Sequence, residues 1–502
     1  MKDPALVVDT LGRVHVAWQD VASPCTTGHL DVITSVARDG NNRLQINVAR
    51  PSEIGLDIND GLQIFGTTSF NGTYTVRSVT NGVVETNETV ANGASEATGN
   101  LVSTDVGSCA GPDIYYARLD ETGWSDVLNL SDVGGDASSS APAMVVDENG
   151  DVHVVWQEAG NLLPGNGSAV PPASPADGDH TDLIHRVIDG VTGAISLPVV
   201  ITTSDDASRV DDKAPALAAG GGVVVVAWEA EAAATDRSVL LSRWNGSTWS
   251  TPAVVTHRTG TGASTATTPS VGIGPSGVAY VAWMENSGRA VVGGTVGISG
   301  DRDIVLCPMG PLDATCPVGA DRLISTDANS GNSAEPAVAV DVGGPEDDDE
   351  SVHVVWSDNE DRASTAKRIL HRRLFLQRTL GVVTGGVTSV TTSGNGQNPA
   401  VAVDAATNEL VVVWTDNTAP HPEFTVMSSL GSDTDTDADG VFDRKAFSAA
   451  ALFFDNAGTF TTQNTAPSVS LGAGREIYVP FVHLVTSPAP ATTQIFVWGT
   501  YY

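Results

Sequence analysis

The sequence predicts an all-β protein: a seven-bladed β-propeller of four-stranded blades, with a small β-domain inserted in the first blade. Three observations predict this fold. A motif of two apolar runs around a polar turn recurs seven times along the 502 residues. A second pair of short apolar runs follows most copies. Four-stranded repeats of this kind are typical of propellers, which have about four to eight blades.

The repeated motif predicts an inner β-hairpin for every blade. Each copy opens with a proline, runs through apolar residues, crosses an Asp-x-x-Gly type turn and ends in a second apolar run. Both runs are apolar on both faces, so we expect both strands to be buried. The proline suits the first position of a strand, where no backbone donor is needed. The copies begin near residues 4, 142, 215, 269, 336, 399 and 467.

The first copy contains far more sequence than the others, which indicates an insertion. We expect residues 1–24 and 110–502 to form the propeller and residues 25–109 to form an inserted β-domain. Cys25 and Cys109 bracket the insertion, and a disulfide between them would close its stem. The pair Asn71-Gly72 inside it is a strong hairpin signal. The inserted stretch resembles small β-domains of phage and bacterial surface proteins.

The four cysteines indicate an oxidising compartment. Cys307 and Cys316 follow an apolar run, and a disulfide between them would close a short loop after the third strand of the fourth blade. An even cysteine number without a metal-ligand spacing favours two disulfides, and therefore a secreted or cell-surface protein. The sequence has no apolar run of about 18 residues, so membrane insertion is not expected. It enters its first repeat at once, which favours a mature or excised form.

The charge of the chain excludes one class of partner. The net charge is −35, from 60 acidic and 25 basic residues. Nucleic-acid binding needs a basic surface against phosphate, so it is not expected. A polyanionic surface instead suits solubility and the binding of cations.

An Asp-rich stretch in the sixth copy predicts a calcium site. Alternating Asp residues followed by a Gly place carboxylates on one side of a tight loop, which suits a hard cation with six to eight oxygen ligands. The stretch resembles the calcium loops of EF-hand-like, dockerin and thrombospondin type 3 repeats, although Ala446 stands where such loops have a bidentate Glu. The alternative is a solvated acidic turn. The predicted Ca²⁺ ligands are Asp433, Asp435, Asp437, Asp439, Val441 through its carbonyl, and Asp443.

A ring of acids is the second candidate site. An acidic residue follows the Trp of the second strand by two positions in five copies, on the face that also carries the largest insertions. Such a ring would bind a cation or a glycan. The alternative is that the Trp residues pack between blades and the acids anchor loop backbone. The candidate ligand-face residues are Asp20, Glu158, Glu285, Asp358 and Asp416.

Three histidines are expected to be structural. His15, His153 and His353 occupy equivalent positions in separate copies, so they cannot converge on one metal ion. The Asp at the turn of the same hairpins is expected to make turn hydrogen bonds.

The repeat resembles the sialidase-like, BNR-type propeller superfamily. The shared features are the Asp-x-x-Gly turn, the Trp of the second strand and the stretch 246–252 of the third copy. The Ser-x-Asp-x-Gly-x-x-Trp box of sialidases is absent, and the sequence nominates no catalytic residue. We therefore expect an extracellular, non-catalytic binding, adhesion or structural module. The alternative is a carbohydrate-active enzyme, a sialidase-like glycoside hydrolase or lyase, that uses the axial funnel.

The expected partners are a surface glycan, a surface protein or neighbouring subunits of an extracellular assembly. The seventh copy supplies three strands instead of four. We expect its third strand to be an open edge that can accept a strand from another chain.

Overall fold

A computed structural model describes most of the chain, and every described element is a β-strand or lies between strands. The all-β prediction is confirmed. Among the described residues, no helix has the length and apolarity to cross a bilayer. The chain forms two compact units: Asp9–Arg209, and Met1–Val8 together with Val210–Tyr502. The described residues are 2–20, 30–49, 56, 58–80, 83–91, 93–103, 112–131, 138–159, 181–202, 211–233, 236–256, 265–288, 290–296, 301–325, 331–341, 350–359, 366–377, 381–391, 395–404, 409–416, 425–434, 444–448, 451–454, 468–471, 476–485 and 492–501.

The first strand, β1 (Lys2–Val8), belongs to the larger unit. The smaller unit then contains two open sheets and a closed barrel. Its strands are β2 (Val14–Asp20), β3 (Leu30–Arg38), β4 (Arg43–Val48), β5 (Gly61–Phe65), β6 (Gly72–Thr80), β7 (Val83–Thr89), β8 (Asn100–Ser103), β9 (Asp113–Asp120), β10 (Gly123–Trp124), β11 (Leu128–Asn129), β12 (Ser138–Val146), β13 (Val152–Ala159), β14 (Thr181–Ile188) and β15 (Val199–Val200).

The barrel has the order β3-β4-β7-β6-β5-β8 and its own core. Ile33, Leu44, Ile46 and Leu62 have no measurable exposure, because alternate residues of each strand point inward. The barrel lies inside the stretch that the sequence marks as an insertion. The boundaries 25–109 stay a prediction, since Cys25 and Cys109 lie outside the described residues.

The two open sheets of the smaller unit show the repeated four-strand plan. The first, here called sheet one, has β2 paired with β9, and β10 and β11 both paired with β9. Sheet two has the order β12-β13-β14-β15. All of these pairs are antiparallel, as the hairpin motif predicts.

The larger unit repeats this plan. Its sheets are called three to seven in chain order, with strand orders β16-β17-β18-β19, β20-β21-β24-β25, β26-β27-β28-β29, β30-β31-β32-β33 (β34 also pairs β32) and β35-β36-β37, plus a small hairpin β22-β23. Its strands are β16 (Asp211–Gly220), β17 (Val223–Ala233), β18 (Asp236–Trp244), β19 (Ala253–Val254), β20 (Thr267–Ile273), β21 (Ala279–Glu285), β22 (Ala290–Val291), β23 (Gly294–Thr295), β24 (Asp303–Met309), β25 (Arg322–Leu323), β26 (Ser333–Asp341), β27 (Ser351–Asp358), β28 (Arg368–Gln377), β29 (Gly381–Ser389), β30 (Gly396–Val403), β31 (Leu410–Asp416), β32 (Thr425–Thr434), β33 (Arg444–Phe447), β34 (Ala451–Phe454), β35 (Ser470–Leu471), β36 (Glu476–Val485) and β37 (Thr492–Tyr501).

Within the larger unit, the first strands of successive sheets contact each other: β16 with β20, β20 with β26, β26 with β30 and β30 with β35. The second strands of sheets three to six are mostly buried. All eight residues of β27 are buried, as the apolar pattern predicts. The first strands of sheets two and five are less than half buried, so there the prediction that both strands are buried holds for the second strand alone. In sheet seven, three strands are described, and the open edge of β37 stays a prediction.

The repeated proline does not open its strand. In five sheets the first strand begins before the proline and changes register around it, for example between Ser140 and Ala143. The residue before the proline has a left-handed φ, such as 48° at Ala141 and 58° at Glu335. The predicted position was wrong, because a bulge, like a strand start, tolerates a residue without an N–H donor.

The predicted disulfide Cys307–Cys316 is confirmed. Its Cα atoms lie 6.2 Å apart, and both cysteines are fully buried. The loop between them also bonds to sheet three, since Val254 N–H donates to Ala314 O and Cys316 N–H donates to Val254 O. The disulfide therefore holds the loop after β24 against the neighbouring sheet.

Candidate functional site

The predicted acid ring lies at equivalent ends of the second strands, and the carboxylates of Glu158, Glu285, Asp358 and Asp416 accept hydrogen bonds from the chain itself. Glu158 Oε2 accepts from Trp156 Nε1 and from Ser139 Oγ, both at 2.7 Å. Glu285 Oε2 accepts from Trp283 Nε1 at 2.8 Å. The glutamate side chain is long enough to reach back two residues to the indole on the same face of its strand.

The aspartates of the ring are one methylene shorter and bond elsewhere. Asp358 Oδ2 accepts from Ser333 Oγ at 2.6 Å, and Asp416 Oδ1 accepts from Asn395 N–H at 3.3 Å. Asp20 pairs with Asp113 across β2 and β9. The contacts of the ring therefore match the anchoring alternative, and its role as a ligand face stays a prediction.

A second set of polar anchors escaped the sequence analysis. Two residues after the last strand of the sheet, a Ser or Thr hydroxyl accepts the N–H of the second, third or fourth residue of the third strand, as Ser325 does from Ile304 at 3.0 Å. The signal was present in the sequence as an aliphatic residue followed by Ser or Thr. The five hydroxyls are Ser131, Thr202, Thr256, Ser325 and Thr391.

The three equivalent histidines lie in buried networks, each in its own sheet. His15 contacts Asp9 and the Tyr116 hydroxyl, and burial lowers the pKa of His15 to about 4. In sheets two and five the tyrosine is replaced by a second histidine. The pairs are His153–His185 and His353–His371, each with its ring nitrogens 3.0 Å apart. Among the described residues, no three metal-ligating side chains come together.

Sheet three departs from the repeat. The indole N–H of Trp228 donates to Asp212 Oδ1 at 2.6 Å, so the acceptor comes from the first strand instead of the second. Glu229 and Glu231 of β17 point to the other face of the sheet. Register places Lys213 opposite Glu229, and Glu231 between Asp211 and Arg237. We call Asp211, Lys213, Glu229, Glu231 and Arg237 the charged cluster.

The charged cluster is a connected network. Lys213 Nζ lies 2.9 Å from both Asp211 Oδ2 and Glu231 Oε2. Arg237 donates to Glu231 Oε1 at 3.0 Å and lies 3.4 Å from Glu229 Oε1. The two cations are 34% and 32% exposed, whereas the Glu229 side chain is only 8% exposed. The cluster therefore combines a buried carboxyl with a rim that solvent reaches.

The two glutamates of the cluster titrate in opposite directions. Burial raises the pKa of Glu229, against the opposing effect of Arg237. The hydrogen bond from Lys213, helped by Arg237, lowers the pKa of Glu231. Two carboxyls whose surroundings separate their pKa values are the arrangement that acid–base chemistry requires. Sequence reasoning gave Glu229 and Glu231 no role.

The predicted calcium stretch is the connection between β32 and β33. The strands pair up to Thr434 and Arg444, and the backbone of Asp433 pairs with that of Lys445. Asp435, Asp437, Asp439, Val441 and Asp443 lie outside the described residues, so the calcium site stays a prediction.

Comparison with known proteins gives only remote likeness. No protein-family model and no curated protein matches the chain. A protein of unknown function from Dyadobacter fermentans has a TM-score of 0.43 and 11% identity over 71% of this chain and 93% of that one.

Two enzymes are also among the similar structures. An α-L-arabinofuranosidase from Fusarium graminearum, in complex with an iminosugar inhibitor, has a TM-score of 0.39 and 8% identity, covering 82% of this chain and 98% of that one. A mutant of the NanB sialidase from Streptococcus pneumoniae has a TM-score of 0.34 and 9% identity, covering 96% and 92%. At these scores the function has to be argued from the chain's own residues.

Proposed function

We propose that the charged cluster of sheet three is a carbohydrate-active site that hydrolyses a glycosidic bond. The observation that carries this proposal is the pair Glu229 and Glu231, which share one face of β17 but have pKa values moved in opposite directions. Glycoside hydrolysis needs one protonated and one ionised carboxyl beside the scissile bond. Glu229 is the proton donor and Glu231 the base or nucleophile.

The spacing of the pair supports these roles. Two positions along a strand separate the Cα atoms by about 6.6 Å, and the two side chains leave the same face. Catalytic carboxyls lie roughly 5–9.5 Å apart in glycosidases. Glu229 gives its proton to the leaving oxygen, and Glu231 attacks the sugar or activates water. Lys213 and Arg237 keep Glu231 ionised and offer donors to sugar hydroxyls.

The test is turnover of a panel of chromogenic glycosides, starting with α-L-arabinofuranosides and sialosides. We expect Glu229→Gln and Glu231→Gln each to lower kcat by about 100-fold or more. Glu285→Gln is the matched control, since it changes a Trp-linked carboxylate of the next sheet and should keep full activity. Wild-type protein that turns over no glycoside, or a fully active Glu229→Gln variant, would overturn the proposal.

A second candidate function is a non-catalytic binding, adhesion or structural module. It is favoured by the acids of the other sheets, which already accept hydrogen bonds from the chain itself. Binding on a glycan array without turnover, unaffected by Glu229→Gln, would select this function over hydrolysis.

We also propose the finer architecture and its setting. The seven repeated sheets are blades of one β-propeller, residues 25–109 are its insertion, and the protein works outside the cell or on its surface. The consecutive contacts of the first strands and the disulfide Cys307–Cys316 support this. The Asp-rich stretch from Asp433 to Asp443 binds Ca²⁺. Titration calorimetry after chelation tests the calcium claim, and an absence of heat would remove it.

A further inference from the structure

Glu158 and Glu285 occupy the same position after a Trp, but they differ in the hydrogen bonding of their Oε1 atoms. Both follow a Trp by two residues, and both accept its indole N–H through Oε2. Glu285 Oε1 also accepts a hydrogen bond, from Ser287 Oγ. Glu158 Oε1 is buried and accepts none from the described residues. Since Glu158 is 1% exposed, solvent does not take the place of the missing partner.

The charge of a second carboxylate, Asp113, acts on Glu158. Ser139, whose hydroxyl bonds Glu158, donates its backbone N–H to Pro112 O at 2.7 Å. Pro112 directly precedes Asp113, so the contact brings the Asp113 carboxylate of sheet one near Glu158 of sheet two. Burial, with a further contribution from the Asp113 charge, raises the pKa of Glu158 to about 7.

The ionised form of Glu158 is unfavourable beside the Asp113 charge unless a cation binds there. A buried charged oxygen without a partner is costly, and a like charge nearby increases the cost. Asp113 accepts hydrogen bonds from Asn129 Nδ2 and Ser131 Oγ, each at 3.1 Å, so its carboxylate is held at the start of β9. The Pro112 carbonyl, which accepts the Ser139 N–H, adds a second type of oxygen. Carboxylate and carbonyl oxygens suit a hard divalent cation such as Ca²⁺.

We propose that Glu158 and Asp113 bind a calcium ion that joins sheets one and two of the smaller unit. Its residues are not those of the Asp-rich stretch of sheet six or of the charged cluster of sheet three. It is formed by Glu158 near the end of β13 and Asp113 at the start of β9. Its role is to fix the contact between two sheets, and it takes no part in the proposed hydrolysis.

The experiment measures thermal unfolding at pH 8, after chelation and then with added CaCl₂. The starting protein carries Asp435→Asn and Asp437→Asn, so that the other predicted calcium site does not respond. We expect Ca²⁺ to raise its Tm by about 3 °C, as ligand binding to a folded unit of this size does. Adding Glu158→Gln should abolish the rise. Adding Glu285→Gln, the matched control, should leave it unchanged.

Calorimetric titration gives an independent measurement in case Glu158→Gln is poorly folded. The Asp113→Asn variant should bind one calcium ion per molecule fewer than the wild-type chain. The Glu285→Gln variant should bind as many as the wild-type chain. An equal Tm rise with and without Glu158→Gln would overturn the proposal. A starting protein whose Tm does not change with added Ca²⁺ would also overturn it, because Glu158 and Asp113 would then share a proton instead of a calcium ion.

Discussion

Sheets three and four have the same strand order but use the acids of their second strands differently. In sheet four, Trp283 donates to Glu285 of its own strand. In sheet three, Trp228 donates across the hairpin to Asp212. The buried tryptophan is therefore satisfied in both sheets. Only in sheet three does this leave Glu229 and Glu231 on the opposite face, where they meet Lys213 and Arg237.

The difference shows how a repeat fold acquires a site without losing its core. The indole N–H must find an acceptor, because an unpartnered buried donor is costly. Once a residue of another strand supplies that acceptor, the position two residues after the tryptophan no longer has to accept the indole N–H. Charged residues can then collect there at little cost to the sheet.

The largest expected effect tests what the two sheets share. Trp228 and Trp283 are both fully buried, and Trp283 belongs to the core formed between the two sheets. Trp228→Ala and Trp283→Ala should each lower the free energy of unfolding by about 3–5 kcal/mol. Urea denaturation checks both values. A much smaller loss for Trp228→Ala would show that sheet three does not depend on its tryptophan as sheet four does.

The next effect tests the acceptor of the indole N–H, which is Asp212 in sheet three and Glu285 in sheet four. Asp212→Ala and Glu285→Ala each leave a buried indole N–H without its partner, so each should cost about 1–3 kcal/mol. Asp211→Ala, one position away on the more exposed face, should cost less than about 1 kcal/mol. In a Trp228→Phe background, the loss from Asp212→Ala should shrink, because no indole donor remains. An undiminished loss there would contradict the hydrogen bond as its cause.

The elements that follow from local chemistry could be predicted from the sequence. Apolar β-branched runs around a polar turn predict the hairpins, and each forms two paired strands. The recurrence of a tryptophan at the same position of the second strand predicts its burial, which the structure shows for Trp156, Trp356 and Trp414. Cys307 and Cys316 also pair as their spacing suggested.

The elements that depend on register could not be predicted. A proline fits both the start of a strand and a bulge, so its sequence position alone does not distinguish them. Similarly, Asp212 precedes Trp228 by sixteen positions, and only the pairing of β16 with β17 brings the two side chains to one face. The sequence alone therefore could not identify Asp212 as the acceptor for Trp228 in sheet three.

The smallest expected effect is a pH dependence of opposite sign for the two glutamates of the charged cluster. The pKa of Glu229 is raised above its ordinary value of 4.5, so its contribution to stability is complete below pH 4.5 and is lost as the pH rises through the raised pKa. The pKa of Glu231 is lowered, so its contribution is present above pH 4.5 and is lost as the pH falls through the lowered pKa.

The urea midpoints of Glu229→Gln and Glu231→Gln, each compared with wild type between pH 3 and pH 8, check these signs. Relative to wild type, Glu229→Gln should become more stable as the pH rises, and Glu231→Gln less stable. Each change should stay within about 1 kcal/mol, because solvent reaches the rim of the cluster. Two curves that move in the same direction would mean that Lys213 and Arg237 do not separate the two carboxyls, and sheet three would then be no better prepared for acid–base chemistry than sheet four.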